Sequence, residues 1–232
     1  MSKFSDAIDT LKRVIVPVNK DGYNIIIITA IIVALLSMLS NFLGFLGFIV
    51  LCFFIYFFRN PKRFTTDIES IIVAPADGVV DAIEENTTPP EELEAGDEGN
   101  WTRISIFLSV FNVHSQRIPF SGTVIKSHYR EGKFVNVSLD KYSKDNERQS
   151  CLLETENGSK IAFVQIAGLI ARRIVCNLSV GDKVKKGDIY GLIKFGSRVD
   201  LYIPSSIKPI VKLGQTMIGG ETIIADFNNN LK

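Results

Sequence analysis

The sequence predicts a mainly β domain with minor helices, preceded by an apolar helical hairpin. Two observations carry this. From Ile25 to Phe58 no residue is charged across 34 positions, and 28 of them are apolar. Beyond residue 64, short runs rich in Val, Ile, Phe and Thr recur between turn residues, with no helical period longer than a few turns. The balance of 26 Lys+Arg against 25 Asp+Glu in 232 residues argues against a broad basic face for nucleic acid. A charged share of 22% argues against wholesale disorder.

The hairpin comes first. As one helix, the apolar block would extend about 51 Å, well past a ~30 Å hydrocarbon core. Ser40, Asn41 and Gly44 fall near its middle, so two arms are expected, Ile25–Leu39 and Phe42–Phe58. Each arm is short for a full span, which leaves transmembrane and re-entrant hairpins both open. Lys12, Arg13 and Lys20 precede the block, Arg59, Lys62 and Arg63 follow it, and the apex carries no base. The positive-inside rule then predicts a cell-membrane protein with both ends, and the domain that follows, on the cytoplasmic side. The run is too long and starts too late for a signal peptide. Residues 1–24 form a leader in which Phe4, Ile8, Leu11 and Ile15 have the spacing of an interfacial helix, an unstructured leader being the alternative. Three cysteines without zinc spacing fit a reducing compartment and predict neither a disulfide framework nor a metal site.

Residues 59–232 hold the β domain. Strands are expected at Ile71–Ala74, Val79–Ile83, Thr102–Ser109, Gly122–Tyr129, Phe134–Ser138, Gln149–Thr155, Lys160–Ile166, Arg173–Leu178, Gly191–Lys194 and Val199–Ile203. The stretch Glu84–Glu98 has seven acids, adjacent prolines and no base, which predicts a solvated loop. Val180-Gly181-Asp182-Lys183-Val184 followed by Lys186-Gly187-Asp188 resembles the turn–strand–turn unit of barrel-sandwich hybrid domains. The acceptor lysine of the carriers with that fold is missing, so the resemblance implies fold and not carrier function.

For chemistry, the chain offers only two histidines, His114 and His128, and no nucleophile elbow, P-loop or dinucleotide fingerprint. Singly, Gly196-Ser197 reads as a hairpin turn, His114 as a satisfied strand histidine and Asp77 as a turn-former. Four ordered motifs read differently together. They are Ala74-Pro75-Ala76-Asp77-Gly78, Asn112-Val113-His114-Ser115-Gln116-Arg117-Ile118-Pro119, Gln165-Ile166-Ala167-Gly168 with Ala171-Arg172-Arg173-Ile174, and Phe195-Gly196-Ser197-Arg198-Val199-Asp200 running on to Pro204. In this order they resemble the short, Gly-Ser-cleaving phosphatidylserine decarboxylase proenzymes, over nearly all of residues 24–204.

The resemblance implies a pyruvoyl enzyme that makes its own cofactor and converts phosphatidylserine to phosphatidylethanolamine and carbon dioxide. Ser197 would attack the Gly196 carbonyl, and elimination from the ester would cut the chain into residues 1–196 and 197–232. The dehydroalanine left at position 197 would hydrolyse to a pyruvoyl group, which takes the substrate amine as a Schiff base. His114 is the candidate proton donor and acceptor, and Asp77 the candidate assistant to self-cleavage. Relatives of the longer type carry a second histidine three positions after the first; here that residue is Arg117, so their processing triad does not transfer whole. Arg117 and Arg198 are candidates for the substrate's phosphate or carboxylate, a surface role being the default for Arg117. Arg59, Lys62 and Arg63 would lie near the anionic leaflet. The implied partners are an aminophospholipid, the membrane and the two chains of one precursor. Homo-oligomerisation stays open. Two alternatives stand beside this reading: an archaetidylserine decarboxylase, and a membrane-anchored barrel-sandwich adaptor with no catalytic activity.

Overall fold

The computed structural model describes residues 16–96, 100–132, 146–168, 173–194 and 197–228. The expected leader helix, the Phe134–Ser138 strand, Gly196 and the Ala171-Arg172 pair lie outside these. The chain divides into two compact units, Met1–Lys62 and Arg63–Lys232.

In the first unit, α1 (Tyr23–Leu39) and α2 (Asn41–Phe57) pack side by side as the pattern predicts. The break is a single residue. Ser40 is extended (φ −161°, ψ 133°), and its Oγ accepts from the Phe42 amide at 3.3 Å, capping α2. Asn41 therefore begins the second helix instead of sitting in the turn. Counted with the 3₁₀ turn that precedes it, the first helix runs Lys20–Leu39 and is long and apolar enough to cross a membrane; Asn41–Phe57 is shorter. The hairpin's ends meet. The Asn19 amide donates to Phe58 O at 2.8 Å and the Asn60 amide to Pro17 O at 2.7 Å, with Phe57 and Phe58 buried beside them.

Among the described residues, the regular structure of the second unit is antiparallel sheet apart from one 3₁₀ turn, Glu91–Leu93. Its strands are β1 (Ile71–Val73), β2 (Gly78–Thr87), β3 (Trp101–Leu108), β4 (Ser115–Arg117), β5 (Gly122–Arg130), β6 (Arg148–Glu154) and β7 (Lys160–Ala167). They continue as β8 (Arg173–Cys176), β9 (Lys183–Val184), β10 (Ile189–Lys194), β11 (Ser197–Pro204), β12 (Thr216–Met217) and β13 (Ile223–Asp226). An eight-stranded sheet has the order β12-β2-β3-β11-β7-β6-β5-β9; β1 pairs with β13, and β4-β10-β8 form a third sheet.

That order is a palindrome, and the hydrogen bonds show why. The second unit is built twice about an internal pseudo-twofold axis. Arg117 N donates to Pro75 O and Val73 N to Pro119 O, each the image of the other under a 44-residue offset. Gly214 N bonds Val80 O as Gly181 N bonds Val124 O, and Gly220 N bonds Ala74 O as Gly187 N bonds Ile118 O, all at 2.8 Å. The turn–strand–turn unit therefore occurs twice. Gly181 and Gly187 flank β9, Gly214 and Gly220 flank β12, and all four have φ between 80° and 95°, where a side chain would be strained. Only the first copy stands out in the sequence, because the second lacks the Lys-Gly-Asp turn.

Alternation gives the large sheet two buried faces. Val199, Leu201 and Ile203 of β11 join Ile104, Ile106 and Leu108 in the main core. Tyr202, Trp101, Leu152, Val164 and Ile166 form a second cluster on the opposite face. The described part of the acidic stretch, residues 84–96, packs Leu93 and Ala95 onto that second face, which corrects the expectation of a solvated loop there. β2 continues through Thr87, Leu93 is fully buried in the second cluster, and Glu92 accepts from Arg148 Nε and Nη2, both at 2.7 Å. The acids disguise this role, since Leu93 is an isolated apolar residue among them.

Candidate active site

The four motifs converge on one end of the central strands. Ser197 opens β11, with Leu108, the last residue of β3, on one side and Ala167, the last of β7, on the other. One strand beyond β3, Gly78 opens β2, with Val79 opposite Phe107. At a strand spacing of ~4.8 Å, Gly78 and Ser197 are separated by about 10 Å across β3. The loop leaving Leu108 carries His114 into β4, whose Ser115 pairs with Leu192 of β10, the strand that leads back towards Ser197. A strand end is where side chains from neighbouring elements can reach one another without interrupting ladder bonds.

Ser197 is fully buried on the main-core face, and its Oγ has no hydrogen-bond partner among the described residues. Neither His114 nor Asp77 therefore bonds it directly. His114 is also fully buried. Its Nδ1 lies 2.9 Å from Asn112 O, so in the neutral ring the proton sits on Nδ1 and the lone pair on Nε2. Asn112 does more than hold the ring. Its Oδ1 accepts from the Ser109 amide at 2.9 Å and Ser109 Oγ at 2.8 Å, pinning the loop to the end of β3. The asparagine is visible in the sequence motif, but its role needs the loop's geometry.

Asp77 is held from two sides. Oδ2 accepts from Arg63 Nη2 at 2.6 Å and Oδ1 from the Gly219 amide at 2.8 Å. Its image in the other half is Ser121, whose Oγ accepts from the Lys186 amide at 3.0 Å. The same turn is thus closed by a neutral hydroxyl in one half and a carboxylate in the other. Arg63 is committed to Asp77.

Arg117 is not a surface arginine. It is buried, its amide donates to Pro75 O, and its Nη1 donates to Gly187 O at 2.9 Å. Burial, with Arg63 nearby, lowers its affinity for a proton, while Asp77, Glu221 and Asp188 oppose that trend. Arg117 thus shares a charge cluster with Asp77. Arg198 is placed elsewhere. It lies on the opposite face of β11 from Ser197, buried, with Nε and Nη2 each 2.9 Å from an Asp200 carboxylate oxygen. Its adjacency to Ser197 in sequence puts it on the wrong side of the sheet to share a site, because successive strand residues point apart.

The described residues contain no group of three or more His, Cys, Asp or Glu arranged to hold a metal. Two surface clefts, of about 630 and 890 Å³, are lined by Asn100, Lys160 and Ser205 and by Thr65, Glu154 and Lys183 among others, and neither reaches Ser197, His114 or Asp77.

Comparison with known proteins decides the family. The family model for phosphatidylserine decarboxylase matches residues 50–225. The chain belongs to the phosphatidylserine decarboxylase family. Proteins described as phosphatidylserine decarboxylase proenzyme from Rickettsia akari (strain Hartford) and Rickettsia bellii (strain OSU 85-389) are 53% and 54% identical to it over 210 residues, covering 90% of each chain. The one from Rickettsia typhi (strain ATCC VR-144 / Wilmington) is 52% identical over the same span. The match to the phosphatidylserine decarboxylase family model takes in β1 to β12, and so all four motifs.

Proposed function

We infer that this chain is a phosphatidylserine decarboxylase made as a proenzyme, releasing carbon dioxide from phosphatidylserine to leave phosphatidylethanolamine. The family membership supports the reaction. The observation that carries the site is the burial of Ser197 where all four motifs meet. Cleavage between Gly196 and Ser197 would yield chains of residues 1–196 and 197–232. A pyruvoyl group suits position 197, since the side chain there is enclosed, water is excluded, and no described residue uses its Oγ. That group, once formed, supplies a carbonyl to take up the substrate amine and withdraw electrons as carbon dioxide leaves.

The remaining roles fall to side chains. His114, with its Nδ1 proton engaged by Asn112, presents Nε2 as the atom that takes up and returns a proton. Asp77, oriented by Arg63 and Gly219, assists the cleavage step through the intervening strand end. Arg117, in the Asp77 cluster, is the stronger of the two arginines for an anionic headgroup; the buried pair with Asp200 argues against Arg198. The apolar helical pair tethers the enzyme to the cell membrane beside its lipid substrate, with the basic flanks favouring the cytoplasmic side. The same headgroup chemistry would serve archaetidylserine.

Intact-mass spectrometry of the purified chain tests this reading. Two chains are expected, the smaller with a blocked N-terminus, and Ser197→Ala should give one uncut, inactive chain. A wild-type protein that decarboxylates phosphatidylserine as a single chain would overturn it, as would an active Ser197→Ala variant.

A further inference from the structure

Two glutamines meet inside the second unit on the Ser197 side of the sheet. Gln165 lies on β7 two residues before Ala167, the partner of Ser197, so its side chain leaves the same face. Gln116 lies on β4 two residues beyond His114. Both are fully buried. Gln165 Nε2 donates to Gln116 Oε1 at 3.0 Å and to Val175 O at 3.3 Å. The Val175 carbonyl identifies which end of Gln165 is nitrogen, and therefore which end of Gln116 is oxygen. Left over are a donor, Gln116 Nε2, and an acceptor, Gln165 Oε1, each buried and without a hydrogen-bond partner among the described residues. Gly191, opposite Gln116, makes the room: a Cβ there would lie 2.9 Å from Gln165 Nε2.

The pseudo-twofold axis supplies an internal control. Gln116 corresponds to Ile72, Gln165 to Ile203 and Gly191 to Ala225. Ile72, Ile203 and Ala225 are all fully buried in the core. The fold closes at these positions with aliphatic side chains, so packing does not require the amides. A buried amide end left unpaired is a cost that a purely structural role does not explain.

We propose that Gln116 and Gln165 read the amino-acid headgroup of the substrate, Gln116 Nε2 donating to its carboxylate and Gln165 Oε1 accepting from its amine. This rests on position 197 being the reacting centre. A neutral donor suits a carboxylate that departs as an uncharged gas. A cation would grip the ground-state charge more tightly than the transition state in which that charge is leaving.

The test is binding without turnover. Full-length protein in detergent, processed and then treated with borohydride to reduce its reactive carbonyl, is titrated calorimetrically with dihexanoyl phosphatidylserine and dihexanoyl phosphatidylethanolamine. Wild type should prefer the serine headgroup by at least about tenfold, the worth of one hydrogen bond to a charged group. Gln116→Met should bring the two affinities to within about twofold of each other by weakening the serine headgroup alone. Gln116→Glu, which keeps the acceptor for Gln165 and repels a carboxylate, should reverse the preference. Self-cleavage by intact mass establishes that each variant has folded; failure of both variants to cleave would make the two amides structural and overturn the proposal. Either cleaved variant keeping the wild-type preference overturns the proposal. An uncut wild-type chain would instead defeat the assignment of position 197.

Discussion

Glu92 offers a perturbation whose size can be worked out. Its carboxylate accepts two bonds from Arg148, both at 2.7 Å, and one from Ser150 Oγ at 2.9 Å. Burial alone would raise its pKa; the bonds from Arg148, its own backbone amide and Ser150 more than reverse this, and bring it from 4.5 down to about 2. A carboxyl depressed by folding adds stability above its unfolded value, and that stability is lost as pH falls through the folded one. The full shift, at ~1.4 kcal/mol per unit, sets a ceiling of about 3 kcal/mol, and partial solvent screening reduces it to about 1–2 kcal/mol. Glu92→Gln keeps the shape and removes the charge. Urea unfolding of the full chain in detergent, followed by the fluorescence of Trp101, should show the variant less stable by about 1–2 kcal/mol near pH 7. Trp101 is the chain's single tryptophan and packs in the cluster that Leu93 completes, so it reports the relevant face. The gap should shrink as pH falls below about 4.5, to under half by about pH 3. A gap absent at neutral pH, or unchanged at pH 3, would refute the reasoning.

Further expectations follow from the same geometry. Gly191→Ala places a Cβ 2.3 Å from Val175 O, forcing β10 from β8, and should lower stability by about 2 kcal/mol or more in the same urea assay. His114→Ala should leave self-cleavage intact while slowing carbon dioxide release on the order of 10²–10⁴-fold; loss of both would give His114 a dual role. Asp77→Ala should slow cleavage, read by intact mass over time, and wild-type cleavage rates would remove Asp77 from that step. In native protein, alkylation should reach Cys176 before Cys151. The two sulfurs lie 4.0 Å apart; the contact with Cys176 and burial raise the Cys151 thiol, while the contact with Cys151 lowers that of Cys176. Peptide mapping that found Cys151 modified first would contradict this.

The strands that were legible in the sequence are those whose signals are local. β3, β5, β6 and β7 announce themselves by β-branched runs between turns, and the β9 unit by two glycines that must adopt positive φ. β4, β12 and β13 did not, being two to four residues long and defined only by their partners. Within the candidate site, Ser197, His114 and Asp77 were visible as residue types in an ordered set of motifs. That Arg198 faces away from Ser197 was equally readable from strand alternation. The burial of Arg117 and the Arg63–Asp77 bond were not, because they join residues from separate elements.

Sequence alone determined the charge-free helical pair, the β character and the family motifs, since hydropathy period, glycine placement and residue order are properties of the chain read along its length. Tertiary structure alone decided where the two matched halves of the doubled sheet differ. Ile72 and Ile203 look no different along the chain from any core aliphatic residue, and although Gln116 and Gln165 stand in two of the motifs, nothing along the chain pairs them. Only when the two halves fold about one axis do these residues fall on matched positions, one pair closing the core and the other leaving a donor and an acceptor inside it.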